Sequence, residues 1–154
     1  MKKLTLTILC GLPASGKSTW AEINKKSNVD IVCPDTIRKE VFGHQFYRDA
    51  EPWIWAYAES MTKLLLLQNR NVIIDATNLS YYSRNKWLSI ANHYGAVTEL
   101  VLFRISKETC LKRNSKREKG KRVPQKIIKS FSSVFMEPDG IERNMYDKII
   151  EIGE

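Results

Sequence analysis

The chain has 154 residues, of which 43% are hydrophobic, and a formal net charge of +8. This length predicts a single domain over residues 1–154, with a core that needs no disulfide or metal. No stretch approaches the ~18 consecutive apolar residues of a membrane span, which argues against a membrane protein. The three cysteines are odd in number, and neither His44 nor His93 lies at ligand spacing from one, so we expect reduced thiols, no zinc and a cytoplasmic protein.

A phosphate-binding loop is predicted near the amino end. Leu4–Cys10 is typical of a buried strand, and the pattern Gly-x-x-x-x-Gly-Lys-Ser follows it and leads into a helix. The glycines permit close backbone approach to a polyphosphate at the positive end of that helix. Lys17 is expected to contact the β and γ phosphates, and the Ser18 hydroxyl to ligate Mg²⁺. The candidate nucleotide-binding residues in this loop are Gly11, Pro13, Ala14, Ser15, Gly16, Lys17, Ser18 and Thr19.

A pair of opposite charges follows the second predicted strand. The first helix should run to about Lys26, and residues 28–33 are typical of a strand buried on both faces, which Pro34 ends. Asp35 lies at the expected N-cap of the next helix, with Arg38 three residues later on the same side. Ligands of doubly wound sheets bind at the carboxyl ends of strands, so both side chains should lie beside the phosphate loop. They are either catalytic groups or a helix cap with a surface arginine.

A long helix is predicted to begin at residue 49 or 50. Its apolar residues recur at helical spacing, which indicates packing against the core. The predicted core positions are Trp53, Ala56, Tyr57, Ser60, Met61, Leu64 and Leu67. Trp55 and Tyr57 could instead stack on a base, but packing is the commoner use of aromatic residues at this spacing.

The strand at residues 72–75 ends in an acid. Its sequence Val-Ile-Ile-Asp is typical of a Walker B strand, in which the carboxylate is held near Mg²⁺, usually through water. Asp75 and Ser18 are therefore the candidate metal-binding residues.

The rest of the chain continues the alternation of helices and strands. Ser80 and Ser106 are predicted N-caps, Gly95 a left-handed helix end, and Pro124 the start of another helix. The last two predicted strands are residues 97–105 and 148–152. The whole pattern predicts a three-layer α/β fold with a five-stranded, mostly parallel sheet and helices on both faces.

The excess positive charge lies in one part of the chain, residues 106–130, which we call the basic segment. It holds ten basic and two acidic residues, whereas the remaining residues carry 15 of each sign. Such a segment can be a solvated helix face with a lysine-rich connector. Beside a bound polyphosphate it is better explained as a lid, at about residues 112–124, whose arginines neutralise the phosphates.

Five motifs span nearly the whole chain. They are Gly-Leu-Pro-Ala-Ser-Gly-Lys-Ser-Thr-Trp at 11–20, Asp-Thr-Ile-Arg at 35–38, Val-Ile-Ile-Asp-Ala-Thr-Asn-Leu at 72–79, Leu-Lys-Arg-Asn-Ser-Lys-Arg at 111–117 and Arg-Val-Pro at 122–124. In this order and spacing the chain resembles the kinase domain of the polynucleotide 5′-hydroxyl kinases of phages and bacteria, a branch of the P-loop kinases. It departs from some members, which carry the acid of the third strand where this chain has Ala76.

The resemblance implies roles for individual residues. Asp35 matches the general base that takes the proton of the 5′-hydroxyl, and Arg38 matches the arginine that holds the phosphate on the 3′ side of the acceptor nucleotide. Arg113 and Arg117 match lid arginines over the NTP phosphates. The catalytic set so implied is Asp35, Lys17, Arg38 and Arg117. The P-loop kinase fold, ATP or another NTP, and Mg²⁺ are implied with it.

The expected activity is transfer of the γ-phosphoryl group of an NTP to the 5′-hydroxyl of a DNA or RNA end. A kinase of a small metabolite, nucleoside or sugar nucleotide is the first alternative, in which the basic segment would serve only ATP. A nucleotide-gated binding module without transfer activity is the second. The salt dependence of acceptor binding and the effect of acceptor length distinguish the polynucleotide kinase from the small-molecule kinase. A transfer assay distinguishes either kinase from the binding module. The sequence leaves the oligomeric state open.

Overall fold

The fold is a five-stranded parallel sheet with helices on both faces, seen in a computed structural model that describes residues 3–43 and 46–154. The prediction for His44 lies outside these residues. The strands are β1 Thr5–Cys10, β2 Val29–Val32, β3 Asn71–Ile74, β4 Val97–Arg104 and β5 Lys148–Gly153. They pair in the order β2-β3-β1-β4-β5, each parallel to its neighbour. The predicted α/β fold class is confirmed.

One or more helices separate each strand from the next along the chain. They are α1 Lys17–Asn24, α2 Pro34–Phe42, α3 Glu51–Leu67, α4 Tyr81–His93, α5 Lys107–Ser115, α6 Gln125–Val134 and α7 Gly140–Arg143, with 3-10 turns at Arg48–Ala50 and Lys119–Lys121. The caps predicted at Ser80, Ser106 and Gly95 are confirmed, because the two serines accept backbone N–H groups three residues later and Gly95 has a φ of +63°. In the described ranges, no helix is both long and apolar enough to cross a membrane.

The core lies on both faces of the sheet. Side chains alternate along β1, so Ile8 packs into one cluster with α2, α3 and α4, while Leu9 packs into a second cluster with α1, α5 and α6. The central strands β1 and β4 have helices on both sides, and this explains their runs of buried Leu, Ile and Val. The phosphate loop follows the middle strand of the sheet.

The edge strand β2 differs from the prediction. Three of its four residues are only half-buried, so the expectation of a strand buried on both faces is wrong. Among the strands of the described ranges, β2 pairs only with β3 and lies at one end of the sheet.

The buried face of α3 also differs from the prediction. Its buried positions are Ile54, Ala58, Thr62 and Leu66, one residue away from most of the predicted stripe. Of the predicted core positions, Trp53 is 78% exposed and Leu67 is 64% exposed. The helix is apolar on most of its circumference, so hydrophobic periodicity alone leaves its orientation undetermined.

Candidate active site

The loop between β1 and α1 is held close to the sheet. A Cβ on Gly11 would lie 2.8 Å from the Cβ of Phe103 and 3.0 Å from Ser15 Oγ, so a side chain at this position would clash. Gly16 has a φ of +105°, which favours glycine, and directly precedes α1. The unpaired N–H groups of the first turn of α1 therefore face the loop, an arrangement that suits an anion.

Lys17 lies inside this loop. Its Nζ donates to the carbonyl oxygens of Gly11 at 3.0 Å and Leu12 at 2.6 Å, and to Ser15 Oγ at 3.4 Å. The side chain is buried, and burial lowers the pKa of Lys17 to about 8, with the nearby charge of Arg117 adding to the decrease. The ammonium group thus lies within the phosphate loop, where phosphate oxygens could replace the carbonyl oxygens as its hydrogen-bond acceptors.

The two candidate metal-binding residues meet at the end of β3. Ser18 Oγ donates to Asp75 Oδ2 at 2.7 Å, and the Asp75 N–H donates to the Val32 carbonyl at the end of β2. Burial raises the pKa of Asp75, and the charge of Asp35 acts in the same direction, so the two carboxylates are electrostatic neighbours. Hydroxyl and carboxylate oxygens on one side of a phosphate cradle fit Mg²⁺, which keeps much of its shell for phosphates and water.

Three charged side chains meet between the start of α2 and the start of α3. Arg38 NH1 donates to Asp35 Oδ1 at 2.5 Å, while Nε and NH2 of Arg38 donate to both carboxylate oxygens of Glu51 at 2.6 and 2.7 Å. The prediction that Asp35 caps α2 is wrong. The N-cap is Cys33, Pro34 takes the first helical position, and Asp35 makes no capping hydrogen bond. The sequence analysis missed Glu51, since it lies 13 residues from Arg38 on another helix.

The basic segment folds back toward the phosphate loop. Arg113 NH1 donates to the Ser15 carbonyl at 3.2 Å, and Arg117 is partly buried. The buried Asn114 side chain bonds both backbone groups of Val123, at 2.7 and 2.9 Å, and so closes the loop between α5 and α6. The sequence analysis also missed this asparagine.

A buried network of polar side chains lies next to the end of β1, where the phosphate loop begins. Asn78, with a φ of +46°, donates to the Leu9 carbonyl at 2.7 Å and accepts from Trp87 Nε1 at 3.0 Å. Its carbonyl accepts from Arg84 NH1 at 2.9 Å. Arg84 is fully buried and makes two bonds to Glu142, at 2.6 and 2.8 Å. The segment that carries Asp75 is thereby fixed to the end of β1.

Comparisons with known proteins point to one family. The model of the AAA domain family matches residues 6–138. The L-seryl-tRNA(Sec) kinase of Methanococcus maripaludis is 30% identical over 146 residues, which cover 86% of this chain and 53% of that protein. A chain of the Pnkp1/Rnl/Hen1 RNA repair complex has a TM-score of 0.77 and 30% identity, with 96% of this chain and 47% of that chain covered. This chain therefore spans about half the length of either relative.

A more distant likeness extends over nearly the whole chain. A sugar kinase from Janibacter has a TM-score of 0.69 at 15% identity and covers 97% of this chain and 85% of that one, which shows a common fold. The family match includes the phosphate loop, the charge cluster between α2 and α3 and the basic segment. The chain belongs to the AAA domain family and has the P-loop kinase fold.

Proposed function

We propose that this kinase transfers the γ-phosphoryl group of ATP or another NTP to the 5′-hydroxyl of a DNA or RNA end. The observation that carries the proposal is the position of Asp35 and Arg38. Both follow the carboxyl end of β2, which pairs with β3, and the charge of Asp35 acts on Asp75 at the end of β3. An acceptor hydroxyl at Asp35 would therefore meet the γ-phosphate of an NTP held by residues 11–19. A carboxylate next to an arginine is suited to an acceptor that carries both a hydroxyl and a phosphate.

The proposed mechanism assigns one task to each group. Residues 11–19 hold the NTP. Ser18 and Asp75 would hold Mg²⁺, which would supply positive charge to the phosphate oxygens. Asp35 accepts the hydroxyl proton while the 5′ oxygen forms its bond to the γ phosphorus and the bond to the leaving β-phosphate oxygen breaks. Lys17 and the lid arginines Arg113 and Arg117 stabilise the negative charge on the transferring group.

The two relatives at 30% identity both support an RNA acceptor. One belongs to an RNA repair complex, and the other is a kinase of an aminoacylated tRNA. Their substrates are properties of proteins about twice as long as this chain, so the acceptor is carried over here as a proposal.

One observation favours the small-molecule alternative. Residues 35–63, a range that includes the proposed acceptor-side residues Asp35 and Arg38, carry four basic and five acidic residues, so the excess positive charge of the chain lies elsewhere. A long nucleic acid would gain little from general electrostatic attraction on this side. Contacts with a long acceptor would instead come from the basic segment.

A panel of acceptors tests the proposal. Wild-type protein is assayed for transfer from radiolabelled NTPs to nucleosides, nucleoside 3′-phosphates and 5′-hydroxyl oligomers of DNA and RNA. We expect transfer to oligomers and 3′-phosphates, with better kcat/KM than for nucleosides. Transfer only to metabolites or nucleosides would favour the small-molecule kinase. ATP binding without transfer to any acceptor would favour the binding module.

Nucleotide affinity should fall as the pH rises above about 8. Below that pH the buried Lys17 is an ammonium, and above it the free protein is neutral at this position. Bound phosphate favours the ammonium form of Lys17, so the protein must take up a proton when the nucleotide binds above this pKa. The log Kd of the nucleotide should therefore rise with a slope approaching about one per pH unit. Calorimetric titration with ATP across this range measures the effect. The slope should vanish in Lys17→Met, and a pH-independent wild-type affinity would contradict the assignment.

The basic segment should contain two functional classes of residue. Arg117→Ala, and to a smaller extent Arg113→Ala, should lower kcat more than acceptor affinity, because these charges are matched to the transferring phosphoryl group. Neutralising Lys119, Lys121 or Lys126 should weaken oligonucleotide binding. Each change should also make the plot of log affinity against log salt concentration less steep, by a slope of up to about one. The exposed Lys116 provides the control for kcat. Oligonucleotide binding that is insensitive to salt would contradict a nucleic acid contact here.

A further inference from the structure

Arg38 is held by three different neighbours. Its Nε and NH2 make parallel bonds to the Glu51 carboxylate, and NH1 bonds Asp35. Its guanidinium carbon also lies 5.9 Å from the centre of the Trp55 ring, one turn after Glu51 on α3. The planar guanidinium is therefore fixed along one edge and against an aromatic residue.

The two ion pairs of Arg38 are unequal. The Glu51 side chain is 22% exposed and bonds Arg38 through both oxygens, whereas Asp35 is 90% exposed and bonds it through one. A bidentate pair is stronger and geometrically more specific, while an exposed single contact contributes little. NH1 is thus the arm of Arg38 that a ligand can capture without disturbing the other contacts.

We propose that Glu51 and Trp55 are positioning residues, which hold Arg38 so that an acceptor phosphate replaces Asp35 at NH1. The proposal rests on the function proposed above and adds a sequence of events, in which the acceptor phosphate binds before the base is released. When the phosphate takes NH1, it releases Asp35 Oδ1, which then lies free beside the acceptor to receive the hydroxyl proton. Arrival of the correct acceptor thereby frees the base, and an acceptor without this phosphate leaves Asp35 paired.

The chemistry of Glu51 supports a holding role. The hydrogen bonds from Arg38 lower the pKa of Glu51, which keeps it ionised at neutral pH. An ionised carboxylate repels phosphate, so any favourable effect of Glu51 on binding of the acceptor phosphate has to act through Arg38. A simple link between α2 and α3 would affect stability, whereas a positioning role affects discrimination between acceptors with and without the phosphate.

The test compares two ligands that differ only in this phosphate. Binding of adenosine 3′-phosphate and of adenosine is measured by calorimetry, together with the kcat and KM of transfer to each. The variants are Glu51→Gln and Trp55→Leu, with Trp55→Phe as the conservative replacement. Glu59→Gln is the matched control, because Glu59 is a partly exposed α3 acid paired with Lys86.

Wild type should bind adenosine 3′-phosphate more tightly than adenosine. Glu51→Gln should reduce this preference by about tenfold, the scale of a charge-assisted bidentate contact, and leave ATP affinity unchanged. Trp55→Leu should reduce it less, and Glu59→Gln should keep it. Trp55→Phe should keep more of the preference than Trp55→Leu, because the ring stays beside Arg38 while the hydrogen bond from Trp55 to Glu51 is lost. In an Arg38→Ala background, Glu51→Gln should have no further effect on the preference.

The proposal is overturned if Glu51→Gln keeps the wild-type preference, or if wild type shows no preference in binding. Trp55→Leu decides the question if Glu51→Gln has a much lower melting temperature. Failure of the proposed function looks different, since wild type would then transfer phosphate to no 5′-hydroxyl acceptor while the preference in binding still responded to Glu51.

Discussion

Replacing Lys17 with alanine should reduce phosphoryl transfer by on the order of 10²- to 10³-fold or more, the scale of removing one preorganised electrostatic group. The ammonium lies within the proposed phosphate loop, bonded to the Gly11 and Leu12 carbonyls. Its charge is matched to the transition state, and kcat should therefore fall along with nucleotide affinity. Steady-state kinetics with saturating acceptor measure the loss.

Stability should change little in the same variant. The lowered pKa of Lys17 means that burial disfavours its charged form, so removal of the charge relieves this cost while the loop carbonyls lose a donor. Thermal unfolding of Lys17→Ala and Lys17→Met separates a loss of fold from a loss of chemistry. Lys25, exposed at the end of the same helix, supplies the control variant Lys25→Ala. A Lys17→Ala protein with more than half of the wild-type activity would disprove the site assignment.

Asp35→Asn should lose at least ~10²-fold in transfer, the usual scale of general base catalysis. Asparagine has nearly the shape of aspartate but accepts no proton at neutral pH. A loss of stability would not explain such an effect. Asp35 makes no capping hydrogen bond, and its ion pair with Arg38 is largely exposed and contributes little. ATP affinity and melting temperature should therefore stay near the wild-type values.

The neighbouring acid Glu40 supplies the control for Asp35. It is exposed on the same helix, and Glu40→Gln removes one negative charge without touching the site. Kinetics of both variants with a 5′-hydroxyl oligonucleotide compare the loss of a base with the loss of a charge. An Asp35→Asn protein as active as Glu40→Gln would eliminate Asp35 as the base, even with the nucleotide site intact.

Local sequence predicted the parts of the site that follow strands. The phosphate loop is a contiguous motif, and Ser18 and Asp75 meet because the carboxyl ends of neighbouring parallel strands share an edge. Glu51 and Asn114 escaped prediction, because each acts on a partner whose position depends on tertiary packing. Arg84 reads as an ordinary surface residue of an amphipathic helix, and its burial depends on an acid 58 residues away.

The buried face of α3 was also predicted wrongly because it depends on tertiary packing. A helix that is apolar on most sides can satisfy a helical pattern in several orientations, and the choice among them is made by the sheet and by α2. The Arg38–Glu51 pair is one of the contacts that fix the rotation, since it places Glu51 toward α2. Sequence periodicity contains no information about this pair.

The buried bonds between Arg84 and Glu142 set a lower limit on the length of a stable kinase domain. The family match ends at residue 138, before Glu142 and the whole of β5. A fragment cut at that boundary would retain all five kinase motifs and yet leave the Arg84 charge buried without its carboxylate. Loss of one partner from a buried pair costs about 3–5 kcal/mol, a large share of the stability of a small domain. A fragment that carries the five motifs therefore has to extend past the family match at least to Glu142, which supplies the carboxylate for Arg84.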